Sequence, residues 1–185
     1  MNDQCHELLE LARGGQDRLL RGRVAACSAE LETRKSRPEG NEPYGRALLY
    51  RAELGEVMLA LWRPGARSAP HDHGQARGVV IVLAGSFTET SYVFDGHALR
   101  ASAERELAPG ALLRTQTGAI HDLEVVGEGL TLHLYLPSIH AMRVYDRDAR
   151  ATLQVTGECG AWLPEQTELI LERQLWASTA PRSEQ

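Results

Sequence analysis

His71-Asp72-His73 is the segment of this chain best suited to holding a metal ion. In an extended chain the side chains at i and i+2 share a face. His71 and His73 therefore project together, and Asp72 projects the other way. Two imidazoles on one face are two ready ligands, and a centre inside a β-barrel needs a third from a facing strand. His121 answers that need: in QTGAIHDLEV it opens a strand just after a glycine turn. Other histidines are placed differently. His6 falls in an N-terminal helical pattern, His97 beside Asp95-Gly96 in a hairpin turn, and His140 in a loop read as facing solvent. An HxH pair alone also occurs on ordinary surfaces. This one is set apart by the proline before it, the glycine-bounded apolar strand after it, and the third histidine opening a later strand.

A second group is Thr131, His133 and Tyr135, which alternate with Leu132 and Leu134. One strand face then carries a hydroxyl, an imidazole and a phenol in hydrogen-bonding order, and the other face is apolar. Two readings are open: a relay that ends at a substrate, or a half-buried strand in which Thr131 and Tyr135 pack and His133 is a satisfied core histidine. Burial of both faces favours the relay, since a strand lining an internal site looks that way. Trp62 reads mainly as packing, and Met142 and Tyr145 as ordinary strand residues.

These residues need a frame. From Ala47 onward short apolar runs alternate with turn residues: ALLYRAE, EVMLALW, GVVIVLAG, SFTETSYVF, ALLRTQTG, HDLEVV, LTLHLYLP, MRVYD and ATLQV. Many short strands so punctuated predict a mainly β barrel or sandwich. Before them, HELLELARGG and QDRLLRGRVAACSAEL repeat apolar residues at helical spacing, broken at Gly14-Gly15. The boundaries read as a helical segment and loop over 1–43, a barrel core over 44–155 and a C-terminal segment over 156–185. In that last segment LPEQTELILERQLWAS is expected to form a closing helix and TAPRSEQ to fray.

With 185 residues, 43% hydrophobic and 24% charged, the chain has the composition of one globular domain. A net charge of −5 with no basic block argues against a nucleic-acid partner. No apolar run reaches bilayer length and MNDQCHELLELARGG has no signal core, so a cytoplasmic protein with no membrane partner is expected. Cys5, Cys27 and Cys159 are far apart and odd in number, and read as reduced thiols without a structural role.

The motifs together resemble the cupins, and within them the thiol dioxygenases of the cysteine dioxygenase family. PHDH followed by Gly78 and Gly85 looks like the first cupin motif. Pro109-Gly110 with Gly118-x-x-His121 approximates the second. Gly78 stands where many cupins carry an acidic fourth ligand. Tyr44-Gly45-Arg46, Trp62 ahead of the HxH, and Thr131-Leu132-His133-Leu134-Tyr135 with Pro137 resemble the family's own motifs; the likeness runs from about Tyr44 to Asp146. It implies a single-domain cupin, a double-stranded β-helix or jelly-roll barrel with N-terminal helices. It implies one Fe²⁺ per chain on His71, His73 and His121, catalytic roles for Tyr135 and His133, and substrate contacts from Arg46, Tyr44 and Tyr135. Thr131 and Trp62 stand behind these. Animal members carry at the Gly78 position a Cys that cross-links to the tyrosine, so no Cys–Tyr cofactor is expected here.

The chemistry is coherent. Imidazoles suit first-row divalent ions, and three neutral ones leave the ion its full charge and several open positions for anionic ligands. A coordinating thiol is deprotonated, whereas Zn²⁺ on the same ligands has no redox chemistry. A guanidinium grips a carboxylate as a planar fork; only the resemblance singles Arg46 out among 20 basic residues. The expected reaction is L-cysteine plus O₂ to cysteine sulfinic acid, in a monomer or small homo-oligomer. The rivals are a 3-mercaptopropionate (or other mercapto acid) dioxygenase and a non-catalytic cupin binding or sensor module.

Overall fold

The computed structural model describes residues 1–178. Two helices, α1 (Asn2–Arg13) and α2 (Asp17–Glu32), precede eleven strands. These are β1 (Tyr44–Ala52), β2 (Gly55–Trp62), β3 (Arg77–Ala84), β4 (Phe87–Phe94), β5 (Leu99–Leu107), β6 (Leu112–Thr115), β7 (Ile120–Val125), β8 (Gly129–Leu136), β9 (Ala141–Asp146), β10 (Ala151–Thr156) and β11 (Ile170–Leu175). One wall of the barrel is a five-stranded sheet in the order β1-β2-β8-β3-β6. The other holds two three-stranded sheets, β5-β4-β7 and β11-β10-β9. The segment before β3 stitches these two together. Ser68 N–H donates to the Leu123 carbonyl at 2.9 Å, His71 and His121 exchange backbone bonds, and Tyr145 N–H donates to Pro70 O at 2.8 Å. The helix Gly14-Gly15 break and the mainly β body are as the residue patterns predict.

Alternation explains why β2, β3 and β8 are buried along almost their whole length. Met58, Ala60, Trp62, Val80 and Val82 point into the barrel with Phe87, Leu123 and Val144. Val57, Leu59, Val79, Ile81, Leu132 and Leu134 point out, under Leu8, Leu9, Leu20, Val24 and Leu31 of the two helices. An antiparallel sheet normally has one wet face; here the helices dry the second.

Two elements differ from expectation. The predicted closing helix is instead a single 3₁₀ turn, Thr167–Leu169, followed by β11, which pairs antiparallel with β10. ILERQL is rich in helix formers, but the open edge of β10 offers it a backbone ladder, and tertiary context overrides propensity. The strand β5 went unseen because LRASAEREL is exposed between its two end leucines and so has no apolar alternation. It forms as the return arm of a hairpin whose turn Asp95 caps, accepting from His97 N–H and Ala98 N–H. TAPRSEQ lies outside the described residues.

Candidate metal centre

His71 meets His121 because the two are a hydrogen-bonded antiparallel pair: His71 N–H donates to His121 O at 2.9 Å and His121 N–H to His71 O at 3.0 Å. Side chains of such a pair stand side by side on one face. His73, two residues on, reaches the same place before the chain turns at Gly74, where φ is +59° and a Cβ would lie 2.3 Å from the Ala141 carbonyl. Asp72 points away, as the spacing predicts. Its carboxylate accepts from Gly74 N–H at 2.9 Å and Arg143 Nε at 2.6 Å, fastening the loop to β9.

The three imidazoles are buried, and their ligand atoms lie within 4.8 Å of one another. His73 Nε2 and His121 Nε2 are 3.4 Å apart. Two imidazoles on one ion at about 2.0–2.1 Å and right angles stand about 3 Å apart, so this spacing suits a shared cation. The outer nitrogens are all occupied: His71 Nδ1 lies 2.9 Å from Ala69 O, His73 Nδ1 3.2 Å from Thr115 Oγ1, and His121 Nδ1 3.1 Å from Glu89 Oε1. Such partners fix the ring and aim the Nε2 lone pair inward. Burial holds His71 and His73 well below their usual basicity, and the neighbouring imidazoles push the same way. Neutral, convergent imidazoles are the donor set a divalent first-row ion requires.

Sequence reasoning missed the residues behind the ligands. Glu89 lies in β4 diagonally across from His121, which pairs with Ser91. Directly across from Glu89 in β5 is Arg105, whose Nε donates to Glu89 Oε2 at 2.6 Å. Burial alone would raise the Glu89 carboxyl, but its bonds to His121 and Arg105 outweigh that and hold it low. A Glu two residues on from Phe87, and so on the same strand face as that core aromatic, was the available signal.

Thr131, His133 and Tyr135 share the inner face of β8. Trp62 Nε1–H donates to Thr131 Oγ1 at 2.8 Å; Thr131 Oγ1 lies 2.7 Å from His133 Nε2, and His133 Nδ1 lies 3.0 Å from the Tyr135 hydroxyl. Trp62 is thus more than packing, since it anchors the far end of the chain of bonds. Burial, helped by His121 and Arg46, lowers His133 to about 3, and burial raises Tyr135 above the usual phenol range.

Gly78 sits between Tyr135 on β8 and Thr115 on β6 in the strand register. A Cβ there would lie 2.4 Å from Thr115 Oγ1 and 3.1 Å from His73 Nδ1. The missing side chain is what lets the Thr115 hydroxyl reach His73.

Beside the histidines is a small cavity, about 20 Å³, lined by His71, His73, Tyr135, Tyr44, Arg46 and Met142, among others. Arg46 is committed to protein partners: its Nε donates to Met58 Sδ at 3.2 Å, and its terminal nitrogens to the carbonyls of Glu158 and Gly157, the latter at 3.0 Å. The Tyr44 hydroxyl accepts from Ala161 N–H at 2.8 Å. Cys159 lines the same cavity. All three cysteines are free. His6 stacks edge-on against Tyr50, and His97 and His140 are exposed; none approaches the site. Tyr145 is buried but turns its hydroxyl to Asp72. A larger cavity, about 550 Å³, lies between α1 and the β1–β2 hairpin, with none of the candidate site residues in its wall.

A double-stranded β-helix with buried, convergent imidazoles inside one end defines a cupin-type metalloenzyme. Residues 41–148 match the family model for cysteine dioxygenase type I, and the chain belongs to that family. Among solved structures, a protein with a double-stranded β-helix domain from Klebsiella pneumoniae is 16% identical, with a TM-score of 0.50 over 59% of this chain and 84% of that one. KdgF from Halomonas sp. is 18% identical, with a TM-score of 0.46 over 54% and 84% of the two chains. An oxalate oxidase is 16% identical, with a TM-score of 0.45 over 57% and 56%. No helix among the described residues is long and apolar enough to cross a membrane.

Proposed function

We propose that this chain is an iron(II) thiol dioxygenase that converts L-cysteine and O₂ to cysteine sulfinic acid. The observation that carries the reading is one cavity bounded at once by the imidazoles of His71 and His73, the guanidinium of Arg46 and the phenol of Tyr135. Iron on His71, His73 and His121 supplies O₂ activation and acidifies the thiol.

The chain's own groups do the rest. Arg46 spends three of its five N–H donors on Met58, Gly157 and Glu158, which leaves two for a substrate carboxylate. With Thr131 donating to His133 Nε2, the imidazole proton sits on Nδ1 and is donated to the Tyr135 oxygen. The Tyr135 hydroxyl hydrogen is then free to point into the cavity, toward the carboxylate or the oxygen. Raised by burial, the phenol stays protonated at neutral pH. Gly78 offers no sulfur for a link to Tyr135, so the chemistry runs without a Cys–Tyr cofactor. On this reading the partners are the thiol and O₂, in a cytoplasmic monomer or small homo-oligomer.

One observation favours 3-mercaptopropionate as a second reading: no acidic side chain lines the cavity among the described residues, so an ammonium group finds no counter-ion there. Anaerobic loading with Fe²⁺, followed by O₂ uptake and sulfinate detection with each thiol, separates the readings. L-cysteine sulfinate formed in proportion to O₂ is expected. A clear preference for the des-amino thiol overturns the substrate assignment. No turnover of either thiol by iron-loaded protein overturns the enzyme assignment in favour of a binding module.

A further inference from the structure

Part of the cavity wall comes from chain beyond the residues that match the family model, the stretch Cys159–Ala161 that follows β10. This stretch is seated tightly. Arg46 grips the carbonyls of Gly157 and Glu158 just before it. Ala161 N–H donates to the Tyr44 hydroxyl at 2.8 Å, and the Ala161 carbonyl accepts from Ala69 N–H at 2.8 Å, two residues before His71. Two glycines permit the approach. A Cβ on Gly157 would lie 2.2 Å from the Ile139 carbonyl, and one on Gly160 would lie 1.7 Å from the Trp162 ring. Tyr44 and Arg46 therefore latch this wall as well as bounding the site.

Within that stretch Cys159 carries the one side chain larger than a methyl, and it is 1% exposed. Its one hydrogen-bond partner among the described residues is the Trp162 carbonyl, 3.9 Å from Sγ, too far for a strong bond, and Arg46 and Glu42 act on it only through their charge. Burial pushes the thiol up to about 11. It is a compact, neutral group that acts by its volume. The open space is about 20 Å³, little more than the roughly 10–15 Å³ a single water needs, so cysteine itself already enters by displacing lining side chains. Any extra length of ligand must take its room from a lining side chain. With its sulfur at the histidines and its carboxylate at Arg46, a longer thiol acid would extend toward the wall that Arg46 pins.

We propose that Cys159 is the specificity-determining residue of this site, its sulfur occupying the volume that one further substrate methylene would need. The inference rests on the thiol dioxygenase reading above. Apolar contacts that admit or reject one methylene discriminate by roughly 10–200-fold. In the iron-loaded protein, Cys159→Ala should raise kcat/KM for homocysteine relative to cysteine, and for 4-mercaptobutyrate relative to 3-mercaptopropionate, by about tenfold or more. Cys159→Ser keeps the side-chain volume and should leave both ratios within about twofold of the starting protein, well inside that discrimination. Unchanged ratios in Cys159→Ala overturn the inference, as does an equal shift in Cys159→Ser, which would assign the effect to thiol chemistry instead of size. If the unaltered protein oxidises none of these thiols, the proposed function fails, and the wall is tested by itself. Calorimetric titration of Zn²⁺-loaded protein with the same four acids must then show the same change in length preference on Cys159→Ala, and its absence overturns the inference.

Discussion

Replacing Glu89 by Gln should weaken metal binding more than any other single change behind the three ligands. The Glu89 carboxylate is 3.1 Å from His121 Nδ1 and almost wholly buried, so it holds that imidazole with a charged, poorly screened hydrogen bond. It is also the charged acceptor among the three outer partners; His71 has a carbonyl and His73 a hydroxyl. Charge-assisted bonds are about twice as strong as neutral ones, and loss of such a partner typically costs 10–100-fold in metal affinity, about 1.4–2.7 kcal/mol. Thr115→Val removes a neutral bond of 3.2 Å to His73; at about 0.5–1.5 kcal/mol it should cost roughly 2–10-fold. Arg105→Gln removes the guanidinium that pairs with Glu89, but its side chain is 50% exposed. Such a screened pair contributes about 0.2–1 kcal/mol, and affinity should fall less than about sixfold.

The assay is competition for Zn²⁺ against a chromophoric chelator, repeated anaerobically with Fe²⁺, on variants shown by thermal melting to be folded. The expected order of loss is Glu89→Gln, then Thr115→Val, then Arg105→Gln. Wild-type affinity in Glu89→Gln, or a larger loss in Thr115→Val, refutes the argument that the carboxylate makes His121 the strongest donor.

Three further outcomes follow from the same geometry. Gly78→Ala should cost about 1–3 kcal/mol by overpacking, because its Cβ meets Thr115 Oγ1 at 2.4 Å; adding Thr115→Ala should recover most of this, and additive losses in denaturant titrations would contradict the contact. Thr131→Val should cost about 2–4 kcal/mol, since it leaves Trp62 Nε1–H and His133 Nε2 without a partner in the core; chemical unfolding measures it, and a loss under 1 kcal/mol would mean that the chain of bonds is not formed. Metal-free protein should lose stability as pH falls below about 6.5: His133 titrates near 3 when folded and near 6.5 when unfolded, so the unfolded state binds the extra proton, and by pH 5 this one group costs about 2 kcal/mol. His71 and His73 are shifted the same way and steepen the loss, which melting curves between pH 8 and 5 would register.

What the residue pattern revealed and what it hid have physical reasons. The HxH pair was legible because i, i+2 geometry is local, and the inner face of β8 was legible because alternation is local too. His121 was legible only as a strand-opening histidine; its pairing with His71 depends on a register between distant segments. Glu89, Arg105 and Thr115 were hidden for that reason, since each matters through a cross-strand neighbour, and the pattern of one strand carries no register. Arg46 shows the limit of motif reading in another way. Its position beside the site was anticipated, but its grip on the Gly157 and Glu158 carbonyls was not, because the partners are backbone atoms more than 100 residues away. Cys159 was dismissed on spacing, which bears on disulfides and metal clusters and says nothing of a thiol that forms a wall.

The N-terminal helices acquire a role from the same considerations. β8 carries Thr131, His133 and Tyr135 inward and Leu130, Leu132, Leu134 and Leu136 outward. Leu130, Leu132 and Leu134 are buried in the cluster that the residues of α1 and α2 complete, and Leu136 at the strand end is 8% exposed. At about 25 cal/mol per Å² of apolar surface removed from water, a row of four leucines holds this strand far more firmly than its three polar residues can. The polar chain from Trp62 to Tyr135 is therefore positioned from behind. At Gly55 the two layers meet: a Cβ there would lie 2.2 Å from the Tyr135 carbonyl and 3.3 Å from Leu9 Cδ2 of α1. Leu9→Ala, more than 120 residues from Tyr135 in sequence, removes a fully buried side chain on the far side of that carbonyl. Strand position and hydroxyl aim are coupled through the backbone, so loosening the helical layer loosens the site without touching any polar group in it.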